Sequence, residues 1–147
     1  IYILEMIFNF LHTLIFICGI LHIALAIGSS IIPKVLNWKV ELAKVKPLIR
    51  QMFWTYAAYI LVINVCFGLV SIFGVDELLN QSFLASCVTL FISLYWLTRI
   101  GIQFFYFDKT DAPKGLFFTL GEVALVVLFI VFAAVYFIVF LYNITWI

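Results

Sequence analysis

Four apolar stretches govern what this chain can become. They run roughly over residues 6–32, 52–73, 82–107 and 115–142, and each exceeds the about 20 residues that a helix needs to cross a bilayer. A large soluble core could also bury such runs, but the composition rules that out. The chain is 67% hydrophobic and 10% charged over 147 residues, against about 45–50% and about 25% in ordinary soluble domains. The segments are too continuously apolar for a β-barrel, whose strands alternate with period two. The expected fold is an all-α integral membrane protein, a four-transmembrane-helix bundle forming one membrane domain over residues 1–147. No Lys or Arg precedes the first segment and no small-residue cleavage pattern follows it, so it reads as a span and not as a signal peptide.

The connections set the orientation. Residues 32–50 carry Lys34, Lys39, Lys44, Lys46 and Arg50 against Glu41; residues 74–81 carry Asp76 and Glu77 and no base; residues 108–114 carry Lys109 and Lys114. Basic connections stay in the cytoplasm. The first and third connections are therefore expected inside, and the second connection and both termini on the non-cytoplasmic side. Within the first, Val35, Trp38, Leu42 and Val45 recur at helical spacing opposite Lys34, Asn37, Glu41 and Lys44. That pattern predicts an amphipathic interfacial helix over residues 34–46, serving as a topology anchor or a docking surface. Pro47 is expected to break the chain before the second span.

Small and polar residues recur within each span at alternating steps of three and four. The first seam holds Glu5, Phe8, His12, Ile15, Gly19, His22, Ala26 and Ser29. The second holds Ala57, Leu61, Asn64, Gly68 and Ser71. The third runs through Ser82, Ser86, Thr89, Ser93, Trp96, Ile100 and Gln103, and the fourth through Glu122, Val126, Phe129, Ala133, Tyr136, Phe140 and Asn143. Such seams should turn inward, because exposing polar groups to lipid is costly. Cys18, Cys66 and Cys87 form no CxxC and read as small buried hydrophobes. The glycosylation-like triplets Asn80-Gln81-Ser82 and Asn143-Ile144-Thr145 hug the expected membrane boundary and read as chance matches.

Arg99 is the cation placed inside an apolar segment, and Glu122 is an acid in the next. Counted from the segment ends, both lie on the order of 10–12 Å inside the cytoplasmic boundary. An unpaired charge there costs about 2.5–3.5 kcal/mol on insertion scales, so an intramembrane Arg99–Glu122 ion pair is expected. Tyr95 and Gln103 lie one turn to either side of Arg99, and His22, Tyr56 and Tyr59 fall in the same leaflet. These seven residues make a candidate cluster that either fixes the packing or holds a ligand. His22 and His12 are the candidate cofactor ligands, since imidazole is a common axial ligand of haem and other tetrapyrroles. They lie about 15 Å apart on one helix, which disfavours bis-histidine ligation. One macrocycle, haem or chlorophyll, at His22 would use the room left by Cys18 and Gly19. Asn64 is an expected partner for His12.

No phosphate-binding loop, HExxH, nucleophile elbow or histidine cluster is present, and no metal site is expected. Net charge of +1 gives no reason to expect a nucleic-acid partner. The leading expectation is a non-catalytic accessory or structural subunit of a larger membrane protein complex, not an enzyme, with the lipid bilayer and other membrane subunits as partners. One alternative is a membrane-embedded binding module for a lipid, quinone or tetrapyrrole. The other is an oligomeric small carrier or channel. The topology can be checked in a background with the native cysteines replaced by alanine. Glu77→Cys should react with an impermeant maleimide from the non-cytoplasmic side, and Lys44→Cys only after permeabilisation; the opposite pattern inverts the assignment.

Overall fold

A computed structural model describes residues 2–108, 110 and 115–144. The described residues form seven helices and no strand: α1 (Tyr2–Ser29), α2 (Ile32–Val35), α3 (Trp38–Leu42), α4 (Pro47–Phe73), α5 (Val75–Leu78), α6 (Phe83–Phe105) and α7 (Leu116–Asn143). Among them α1, α4, α6 and α7 are long and apolar enough to cross a membrane. Lys109, Lys114 and Thr145, on which parts of the topology and glycosylation readings rest, lie outside the described residues.

The helices group into two compact units. One comprises Phe16–Phe73, and the other Ile1–Ile15 with Gly74–Ile147. In the first, α1 and α4 meet through glycine. A Cβ at Gly19 would lie 2.8 Å from Ile72 Cγ1, 3.0 Å from the Gly68 carbonyl oxygen and 3.0 Å from Ser71 Cβ. A Cβ at Gly68 would lie 2.7 Å from Ile23 Cδ1 and 3.0 Å from the Gly19 carbonyl oxygen. Each glycine thus faces the other's backbone, the close approach that small residues permit between apolar helices. His22 lies one turn from this crossing, with its ring edge-on to Phe67 at 5.9 Å.

The expected single interfacial helix over 34–46 is instead two short helices. Asn37 adopts φ 54°, ψ 46° between α2 and α3. That left-handed conformation is one Asn tolerates better than most residues, and it ends a right-handed helix. The apolar side of the expected amphipathic pattern is partly kept. Trp38 packs edge-on against Phe53 at 4.9 Å and Trp54 at 5.7 Å, tying α3 to the start of α4. Pro47 does not interrupt the chain but opens α4 as its first residue. There its missing N–H costs nothing and its fixed φ suits the helix.

In the second unit α6 and α7 are antiparallel neighbours. Trp96 is 2% exposed; it stacks on Phe129 at 5.0 Å and leans on Phe132 at 5.1 Å. The Ser93 hydroxyl donates to the Ala133 carbonyl at 2.8 Å. At one end Asn143, 3% exposed, joins α7 to α5 and to the turn before α6. Its Nδ2 donates to the Leu78 carbonyl at 2.7 Å, and its Oδ1 accepts from the Gln81 N–H at 3.1 Å. Asn80 Oδ1 accepts from the Ser82 N–H at 3.0 Å, and Ser82 Oγ caps α6 by accepting from the Ala85 N–H at 3.1 Å. Both asparagines of the glycosylation-like triplets are therefore engaged in turn and helix-end bonds.

The four seams are inward, with Glu5 the exposed exception. The cysteine reading holds for Cys18 alone. Cys66 and Cys87 are exposed, each lying off the inward stripe of its helix, and all three thiols are free.

Gly19→Ala and Gly68→Ala should each destabilise the fold by about 1–3 kcal/mol, the usual cost of overpacking. Gly28→Ala should be neutral or slightly stabilising, since a Cβ there meets nothing within 4 Å. Asn143→Ala strands a carbonyl and an N–H and should cost about 2–4 kcal/mol. Denaturant unfolding in mild detergent, monitored by circular dichroism, measures all four.

Candidate functional site

The candidate residues fall in both units. Arg99, Tyr95 and Gln103 on α6 and Glu122 on α7 belong to one; His22 on α1 and Tyr56 and Tyr59 on α4 belong to the other.

The Arg99 guanidinium donates to Gln103 Oε1 at 3.1 Å, one turn along its own helix. It also lies 5.1 Å from the ring centroids of both Phe107 and Phe129. A cation over aromatic faces gains about 0.5–2 kcal/mol, more as water is excluded. The register explains this choice of partners. The Ser93–Ala133 bond and the Trp96–Phe129 stack fix how α6 slides against α7. That register sets Gln103 across from Glu122 and puts Arg99 nearer the level of Val126. Counting depth from segment ends therefore misses by about one helical turn. Elsewhere Lys44 pairs with Glu41 at 3.0 Å, and His12 Nε2 lies 3.4 Å from Asp76 Oδ1. Glu122 is half-buried on the inward stripe of α7.

Tyr56 and Tyr59 leave the expected cluster. They are 55% and 62% exposed. The inward stripe of α4 passes through Ala57, Leu61 and Asn64, and at 100° per residue neither tyrosine falls on it.

His22 is fully buried. Its Nδ1 lies 2.7 Å from the Cys18 carbonyl oxygen. A carbonyl only accepts, so this nitrogen carries the proton and donates. The room expected beside it at Gly19 is filled by Ile72, Ser71 and the Gly68 backbone. Gly19 is a helix-crossing residue, not clearance for a macrocycle.

His12 is half-exposed, and its Nε2 lies 3.4 Å from Asp76 Oδ1, with Phe8 beside the ring at 6.0 Å. Asp76 is expected from the sequence only as an acid of the second connection and not as a partner of His12. The signal for it was parity, which assigns the 74–81 connection to the same side as the start of α1. Asn64, the expected partner of His12, is 6% exposed, and its Oδ1 accepts no hydrogen bond. Among the described residues no group of three or more His, Cys, Asp or Glu is placed to hold a metal ion.

No protein-family model, curated protein or solved structure matches this chain.

A double-mutant cycle tests the Arg99 geometry. Arg99→Leu and Gln103→Leu should couple by about 0.5–1 kcal/mol in unfolding free energy, as expected of a charged hydrogen bond between residues four apart on a helix. Additive effects would show that the bond contributes nothing.

Proposed function

We propose that this chain is a multi-pass integral membrane protein, its four long helices closing into a bundle with both termini on the non-cytoplasmic side. In this reading it serves as a non-catalytic subunit of a larger membrane assembly. The observation that carries the reading is where the polar side chains go. Thr55, Thr89 and Thr98 bond back to carbonyls four residues earlier in their own helices. Ser93 and Asn143 tie elements together, and His22 is bonded to Cys18. Polar chemistry is thus spent on holding the helices, as an apolar solvent demands. Between the long helices the described connections hold only helices of four or five residues. The lateral faces, carrying outward residues such as Ile20, Ile60, Phe91 and Ile130, are what the chain offers to lipid and to other subunits.

A second reading, a binding module for a lipid, quinone or tetrapyrrole, draws support from Arg99. Its described contacts, Gln103, Phe107 and Phe129, are all neutral. A headgroup phosphate or a quinone carbonyl would complement the guanidinium.

Gentle extraction followed by native mass spectrometry tests both. The expected outcome is a stoichiometric complex with a different polypeptide. A bound small molecule without a protein partner favours the second reading, and a homo-oligomer alone favours a carrier or channel.

A further inference from the structure

The break at Asn37 creates a feature that a straight interfacial helix would lack. Beside the elbow between α2 and α3 lies an open surface pocket of about 380 Å³ lined by Pro33, Lys34, Asn37, Lys39, Val40 and Trp54. Two of its lining residues are lysines, Asn37 and Trp54 add hydrogen-bonding groups, and none of the lining residues is acidic. Glu41, the acid of residues 32–50, is engaged elsewhere: its Oε2 lies 3.0 Å from Lys44 Nζ. The charges of Lys34 and Lys39 are therefore not answered from within this connection. The elbow is also held in place, because Trp38 is wedged against Phe53 and Trp54.

The surroundings are apolar. Ile31, Val35, Leu36 and Val40 are all exposed on the same two short helices and the turn before them. An occupant matched to both features is an amphiphile with a negative headgroup and acyl chains. A zwitterionic headgroup fits less well, since its ammonium end would meet two lysines and no carboxylate.

We propose that the α2–α3 elbow binds the phosphate of an anionic phospholipid, with Lys34 and Lys39 supplying charge and Asn37 and the Trp54 indole supplying directional hydrogen bonds. The shared chemistry is phosphate recognition by paired cations. The lipid source rests on the membrane reading above.

The test uses the full chain in mild detergent, offered phosphatidylglycerol and phosphatidylcholine at equal concentration, with retained lipid counted by native mass spectrometry. The unaltered chain should retain phosphatidylglycerol in preference. Lys34→Gln with Lys39→Gln should weaken that retention by roughly 30-fold, from the contribution of two lysines at an anionic surface. Lys46→Gln with Arg50→Gln removes the same charge outside the pocket and should leave it nearly intact. Equal retention of the two lipids, or equal loss in both double variants, overturns the site. A one-to-one adduct with inorganic phosphate, without preference between lipids, overturns the lipid source.

A second measurement needs no substitution. Tryptophan fluorescence of the unaltered chain should be quenched more by phosphatidylglycerol spin-labelled near its glycerol than by the matching phosphatidylcholine; equal quenching overturns the proposal. Alkaline carbonate extraction reads the membrane assignment separately. A chain that resists extraction yet shows no lipid preference loses the site alone, whereas one that washes off loses the lipid source together with the membrane reading.

Discussion

Every polar group on the long helices must find its partner within the protein, because the surface around them is apolar. Helical backbone meets most of that demand. The side chains meet the rest by short local bonds, such as Thr89 to Ala85 at 2.7 Å and His22 to Cys18 at 2.7 Å. A few reach further, and these define the tertiary structure: Ser93 to Ala133, and Asn143 to Leu78 and Gln81. Asn64 Oδ1 is the buried side-chain atom among the described residues that escapes the rule. An unsatisfied group of this kind costs about 1–3 kcal/mol.

Two kinds of packing follow from the same constraint. In one unit, glycine lets backbone approach backbone, so α1 and α4 gain contact by removing side chains. In the other, large rings fill the space, with Trp96 against Phe129 and Phe132. In the proposed bilayer setting, lipid tails are as apolar as leucine, so burying apolar surface gives little reason for helices to associate. Close van der Waals fit and interhelical hydrogen bonds must supply it, and each unit uses one of them prominently.

The inward faces are legible in the sequence because small and polar residues recur at helical spacing on otherwise apolar helices. Hence the seams through His22, Asn64, Ser93 and Asn143 follow from the pattern alone. Features that depend on a single dihedral or on register were not legible. The elbow at Asn37 hides inside a good amphipathic pattern, since a left-handed residue leaves no periodic trace. The depth of Arg99 relative to Glu122 depends on how α6 slides on α7, which the Trp96–Phe129 stack decides. Tyr56 and Tyr59 had the right depth but the wrong azimuth, because depth along a helix says nothing about which way a side chain faces. Cys66 and Cys87 are exposed; the sequence pattern of small hydrophobes does not by itself tell an inward cysteine from an outward one.

The division of α1 between the two units has a consequence for the order of assembly. Phe16–Phe73 is a contiguous stretch, and everything it packs against within its unit has been synthesised once Phe73 emerges. The other unit joins Ile1–Ile15 to Gly74–Ile147. The first half of α1 must therefore wait through the synthesis of α4, α5 and α6 before its own unit can close. A nascent chain of this kind passes through a stage in which half of its first helix is committed and the other half is unclaimed. That interval is where a chaperone or insertion factor would have most to protect.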